Sequence, residues 1–170
     1  MVLIVACAAE ALAQQGAIII PRDSGKVLDL GLGRAAITVA ASQTDGRFSQ
    51  LELVEYPGYS TPLHIHDKSV ETFFVLKGTL TLLLAGKKHE IAAGGSAVIP
   101  MGTPHAQGNF TKEDVHVLIT LSPGGFEKFF EERAEIVKRY PEGTKEYGEQ
   151  MRALGQRYDI RNIDYDPFKK

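Results

Sequence analysis

Residues 58–78, GYSTPLHIHDKSVETFFVLKG, decide how the rest of the chain is read. His64 and His66 stand one residue apart, and a strand sends alternate side chains to the same face. Both imidazoles therefore project into one space if the segment is extended. Glu71 follows the polar break Asp67-Lys68-Ser69 and opens the run Thr72-Phe73-Phe74-Val75-Leu76. Two imidazoles and a carboxylate converging from adjacent strand ends suit a transition metal. The remaining chain has to supply a further ligand and a container.

Upstream, Ala17–Pro21, Lys26–Leu30, Arg34–Ala41 and Phe48–Tyr56 read as short strands separated by glycine turns. Downstream, Thr79–Leu84 and Lys88–Ala92 flank the hairpin turn Ala85-Gly86-Lys87, with Ser96–Pro100 and Val115–Leu121 as further strands. Short strands at close spacing predict an all-β sandwich or small barrel. After Leu121 the period changes. Ser122-Pro123 predicts a helix cap with proline at the first helical position. Phe126, Phe129, Phe130, Ala134 and Val137 then recur at helical steps. Thr144 predicts a second helix, with Tyr147, Met151 and Leu154 on one face and a stop near Gly155. The polar tail from Gln156 to Lys170 reads as irregular. The expected layout is an N-terminal extension over 1–15, a β-barrel over 16–122, and a helical segment and tail over 123–170, both helices packed outside the barrel.

Composition narrows the function. The chain has 170 residues, length enough for one domain with a real core. Its 19 basic and 21 acidic residues nearly balance, which gives no support to a nucleic-acid or anionic-membrane partner. The single Cys7 excludes an internal disulfide and a thiolate cluster. No apolar run is long enough to span a membrane. Residues 1–13, MVLIVACAAEALA, leave two readings open: a cleaved export leader, or a short strand or helix of a cytoplasmic protein. Glu10 and the lack of a preceding Lys or Arg argue against the leader.

The second informative stretch is Gly94–Asn109, GGSAVIPMGTPHAQGN. Pro100, Gly102 and Pro104 predict a tight bend that aims His105 toward the interior. Taken together, the two stretches resemble the cupin superfamily. Its first motif is G, five residues, H-x-H, three or four residues, E, six residues, G; Gly58, His64, His66, Glu71 and Gly78 meet every position. Its second is G, five residues, P-x-G, two residues, H, three residues, N; Gly94, Pro100, Gly102, His105 and Asn109 meet every position. The resemblance covers roughly Gln50 to Leu121. It implies an antiparallel β-barrel of jelly-roll type, with His64, His66, Glu71 and His105 as ligands of one divalent transition-metal ion (Fe, Mn, Ni, Cu or Zn). Three neutral imidazoles and one carboxylate around a divalent ion give a net charge of about +1 and leave positions open.

Other residues take secondary roles. His89 reads as a solvated turn residue and His116 as outward-facing. Phe73 and Val75 share a face with Glu71 and line the cavity, as do Val98 and Gln107, with Leu51, Leu80 and Leu82 completing an aliphatic wall. Phe74 and Leu76 are expected under the helices. There is no Trp, and no arginine lies between Arg47 and Arg133. An anionic substrate would want a guanidinium near the metal, so a neutral or weakly acidic apolar or aromatic small molecule is expected. The chain looks like the quercetin dioxygenase-like branch of small cupins, with Glu71 doubling as catalytic base. The alternatives are a non-oxidative metal-dependent lyase or isomerase, and a non-catalytic small-molecule-binding barrel. Edge strands near Ile18–Ile20 suggest a homodimer.

Overall fold

The computed structural model describes residues 16–21 and 24–169. The readings of residues 1–13 and of Cys7 lie outside that range. The described strands are β1 (Val27–Asp29), β2 (Gly33–Val39), β3 (Ser49–Glu55), β4 (Leu63–Ile65), β5 (Val70–Lys77), β6 (Thr79–Leu84), β7 (Lys87–Ala92), β8 (Ser96–Ile99), β9 (His105–Gly108), β10 (Val115–Ser122) and β11 (Arg161–Asp164). Helices α1 (Glu127–Arg139) and α2 (Lys145–Arg157) come between β10 and β11. One sheet has the order β1-β2-β3-β10-β5-β8 and the other β11-β4-β9-β6-β7. Every pairing is antiparallel. This is a jelly-roll barrel.

Alternation decides which side chains enter it. In β10, Val115, Val117, Ile119 and Leu121 are buried while their neighbours are not, the period-2 pattern of a sheet with one wet face. Leu51, Leu53, Phe73 and Val75 meet Leu80 and Leu82 of the other sheet in one core. Val98 is a correction: it is 65% exposed. It pairs with Thr72, whereas Ile99 and Ala97 pair with the inward Glu71 and Phe73, so the strand has the opposite phase. Phe74 and Leu76 are likewise exposed on the outer face, because the helices pack elsewhere. His116 is on that outer side of β10, its Nδ1 2.9 Å from Glu52 Oε1. His89 is exposed as expected, but on strand β7 and not in a turn.

Phe129, Phe130 and Ala134 of α1 and Leu154 of α2 join the barrel core. Burial of a phenylalanine contributes about 1.5–3 kcal/mol, which is enough to fix α1. Helix α1 starts at Glu127 behind Phe126, four residues after Pro123, and the Ser122-Pro123 peptide is cis; proline does not open the helix. Thr144 caps α2 as expected, its side chain accepting from the Tyr147 N–H. Helix α2 runs through Gly155 to Arg157. The tail supplies strand β11, which pairs with β4, contrary to the irregular reading. Residues 18–20 form no strand. No helix among the described residues is long and apolar enough to cross a membrane.

The motif residues outside the ligand set do structural work. Gly78 turns β5 into β6 at φ +81°, where a Cβ would sit 3.1 Å from Val115. Asn109 Nδ2 donates to the carbonyls of Glu55 and Glu113 at 2.8 Å each, and its Oδ1 accepts from the Thr111 N–H and hydroxyl.

Glu55 is wholly buried in this interior. Its Oε1 accepts from Gln107 Nε2 at 2.6 Å, and its Oε2 has no hydrogen-bond partner among the described residues. Burial pushes its carboxyl up to about 8, against the weaker opposing pull of Gln107 and Arg133. The folded group thus keeps its proton over a range in which the unfolded chain, near 4.5, has lost it. Stability from this residue is present below the unfolded value and falls as pH rises toward 8, by about 1.4 kcal/mol per pH unit. Denaturant unfolding should show Glu55→Gln gaining on the wild type steadily from pH 5 to pH 8. A difference independent of pH would refute this account.

Candidate metal centre

Three elements bring the ligand set together. His64 lies on β4 and His66 at its exit, Glu71 near the start of β5, and His105 at the start of β9. His64 and His105 face each other directly across the β4–β9 ladder. The bend before His105 is tied down by the Gly102 N–H donating to the His66 carbonyl at 2.8 Å and Thr103 N–H to Pro100 at 3.2 Å. Gly102 turns there at φ +76°, a conformation glycine adopts without strain.

The four side chains are buried, and a ligand atom from each lies within 4.8 Å of the others. Ring centroids are 4.3 Å apart for His64–His105, 4.9 Å for His64–His66 and 5.6 Å for His66–His105. Each imidazole gives its Nδ1 to a backbone carbonyl: His64 to Pro62 at 2.9 Å, His66 to Asp159 at 2.9 Å, His105 to Thr103 at 3.0 Å. This leaves the three Nε2 atoms to face inward, the arrangement that carbonyl partners impose on metal-binding histidines. Glu71 Oε2 lies 2.8 Å from His105 Nε2 and 3.5 Å from His66 Nε2.

Charge is matched to the same purpose. Burial works to raise Glu71, but hydrogen bonds from His105 and His66 override it and hold the carboxyl far below its usual range. Burial and the neighbouring His105 push His64 down to about 4, so it is neutral at physiological pH. Burial also works to lower His66, yet the hydrogen bond and charge of Glu71 leave it above its ordinary value. A ready carboxylate and a neutral imidazole are the forms a cation needs. The donor set fits a divalent transition ion.

Among the expected cavity residues, Phe73 is buried with its ring 6.3 Å from that of His105. Val75 and Gln107 are buried in the interior as well, with Gln107 turned to Glu55. The Phe126 ring stands edge-on to His66 at 5.2 Å. Phe126 also lines an outer groove of about 780 Å³, together with Lys68, Ser69, Arg152, Asp159 and Arg161. The absence of arginine between Arg47 and Arg133 in sequence is therefore misleading, because the C-terminal segment brings Arg161 onto Asp67, the residue after His66. Arg161 forks onto Asp67 at 2.8 and 3.0 Å. The Asp159 and Arg161 contacts carry no sequence signal: a polar tail without periodicity conceals them.

Residues 52–121 match the family model described as Cupin domain. Over those residues the barrel is similar to cupin domains. The chain is 31% identical over 97 residues to quercetin 2,3-dioxygenase of Bacillus subtilis (strain 168), covering 55% of this chain and 28% of that protein. The chain thus spans under a third of that relative's length. A polyketide cyclase of Streptomyces resistomycificus superposes with a TM-score of 0.57 at 20% identity, over 79% of this chain and 99% of that one. A cupin-superfamily sugar phosphate isomerase of Silicibacter pomeroyi does so with 0.56 at 18%, over 62% and 75%. At such identities these likenesses concern the fold.

Titration of the metal-free protein with Zn²⁺ or Co²⁺ should give one ion bound per chain. Affinity should fall as pH is lowered, because protons compete for His66 and His64. His105→Ala should weaken binding by at least about 100-fold. Unaltered affinity in that variant would exclude His105 as a ligand.

Proposed function

We propose that the protein is a metal-dependent enzyme acting on a small molecule, with dioxygenase chemistry of the quercetinase-like type as the principal reading. The observation that carries it is the convergence of three inward Nε2 atoms on a carboxylate that stays ionised despite burial. The similarity to a quercetin 2,3-dioxygenase supports the choice of chemistry. A divalent transition ion, which His64, His66, Glu71 and His105 would hold, would supply Lewis-acid capacity and, if redox-active, electron transfer.

The remaining roles belong to the chain. The three imidazoles are fixed by their Nδ1 bonds and hold position throughout turnover. Glu71 Oε2, 2.8 Å from His105 Nε2 and 3.5 Å from His66 Nε2, receives the proton of a substrate hydroxyl. Phe73 beneath His105 and Phe126 beside His66 exclude water and offer aromatic faces to an apolar substrate.

A second reading, non-oxidative Lewis-acid catalysis on a substrate with an anionic group, is favoured by the groove. Lys68 and Arg152 line it, and neither has a carboxylate partner among the described residues. The homodimer reading draws on edge strand β1 and on Ile19 and Val27, which are 90% and 58% exposed.

Oxygen uptake by the metal-loaded protein, screened with flavonols, catechols and diketones, tests the first reading. Glu71→Gln should retain the ion and lose about 10²- to 10⁴-fold in turnover. Turnover that persists without oxygen and with zinc bound would move the assignment to the second reading. Light scattering that gives the mass of one chain would remove the dimer.

A further inference from the structure

Of the three imidazoles, His64 and His105 find their Nδ1 acceptors two residues back in their own chain segments. His66 does not. Its acceptor is the carbonyl of Asp159, 93 residues away. Asp159 sits at φ +57°, a left-handed conformation that aspartate tolerates better than most residues. From there its carboxylate accepts from the Asp67 N–H at 3.2 Å, the Lys68 N–H at 2.8 Å and the Ser69 hydroxyl at 3.2 Å. The next residues continue the contact. Arg161 pairs in register with Ile65 and forks onto Asp67, and Asn162 pairs with His64. Every residue from His64 to Ser69 is thus gripped by the segment 159–162.

We propose that Asp159 is a positioning residue of the metal centre, and that segment 159–162 is a required part of the site although it lies outside the cupin-matched residues 52–121. The inference rests on the reading of His64, His66, Glu71 and His105 as metal ligands. The Asp159 carboxylate pins the 67–69 loop, and the loop and carboxylate together set the Asp159 carbonyl against His66 Nδ1. That bond selects the tautomer whose Nε2 is free to ligate and fixes the plane of the ring. In this role Asp159 acts through His66.

The test uses the full chain. Metal affinity is measured by competition with a chromophoric chelator, the Co²⁺ absorption spectrum reports ligand geometry, and melting of the metal-free protein reports the fold. Asp159→Ala should bind Zn²⁺ and Co²⁺ about 10- to 100-fold more weakly, with an altered Co²⁺ spectrum. Asp159→Asn, which tolerates the same backbone conformation and keeps an acceptor oxygen, should recover most of the loss. If Asp159→Ala does not fold, the exposed Arg161→Ala carries the test, with a smaller loss of the same kind. Wild-type affinity and spectrum in the folded variant would overturn the proposal. A wild-type protein that takes up no ion would instead overturn the metal reading itself, and this inference with it.

Discussion

Three imidazoles can share one point only if each turns a free ring nitrogen toward it. Here three backbone carbonyls, those of Pro62, Asp159 and Thr103, enforce that turn. Most of the fold can be understood as the means of holding those carbonyls in place. The antiparallel pairing of His64 with His105 sets two rings side by side with centroids 4.3 Å apart, the 100–104 bend fixes the third carbonyl, and the approach to β11 brings the second. The barrel core of Leu51, Phe73, Leu82 and Ile119 supplies the rigidity that makes such an arrangement hold.

Two buried glutamates show how far environment decides chemistry. Glu71 and Glu55 are both nearly inaccessible. Glu71 is surrounded by imidazole donors and remains ionised well into acid. Glu55 has one amide donor and a distant guanidinium, and it stays protonated near neutrality. The first is thereby suited to a cation and the second is not. Burial alone would have raised both; the number of donors aimed at the carboxylate separates them.

The candidate ligand cluster was legible because a strand's period of two is strict and a proline-glycine bend leaves few paths. His64, His66, Glu71 and His105 sit where those two rules put them. Other readings failed where a rule was local and the outcome was not. Val98 lies on a short strand whose phase is set by its pairing with Thr72, which no feature of SAVIP reveals. Pro123 matched a helix start, but Phe126 packing on Phe129 and Phe130 fixes where α1 begins. Strand β11 was hidden because its partner lies some hundred positions upstream and three of its four residues are polar. Arg161, remote in the chain, reaches Asp67 beside His66 for the same reason.

The separation between His66 and the carbonyl that holds it also bears on when the site can form. A ribosome releases all four ligand residues long before it reaches Asp159. Until then the nascent chain has two histidines oriented by their own segments and one free to rotate. The difference between a loose and a locked cluster therefore turns on Asp159, so that His66 takes its final orientation only after segment 159–162 has joined the barrel.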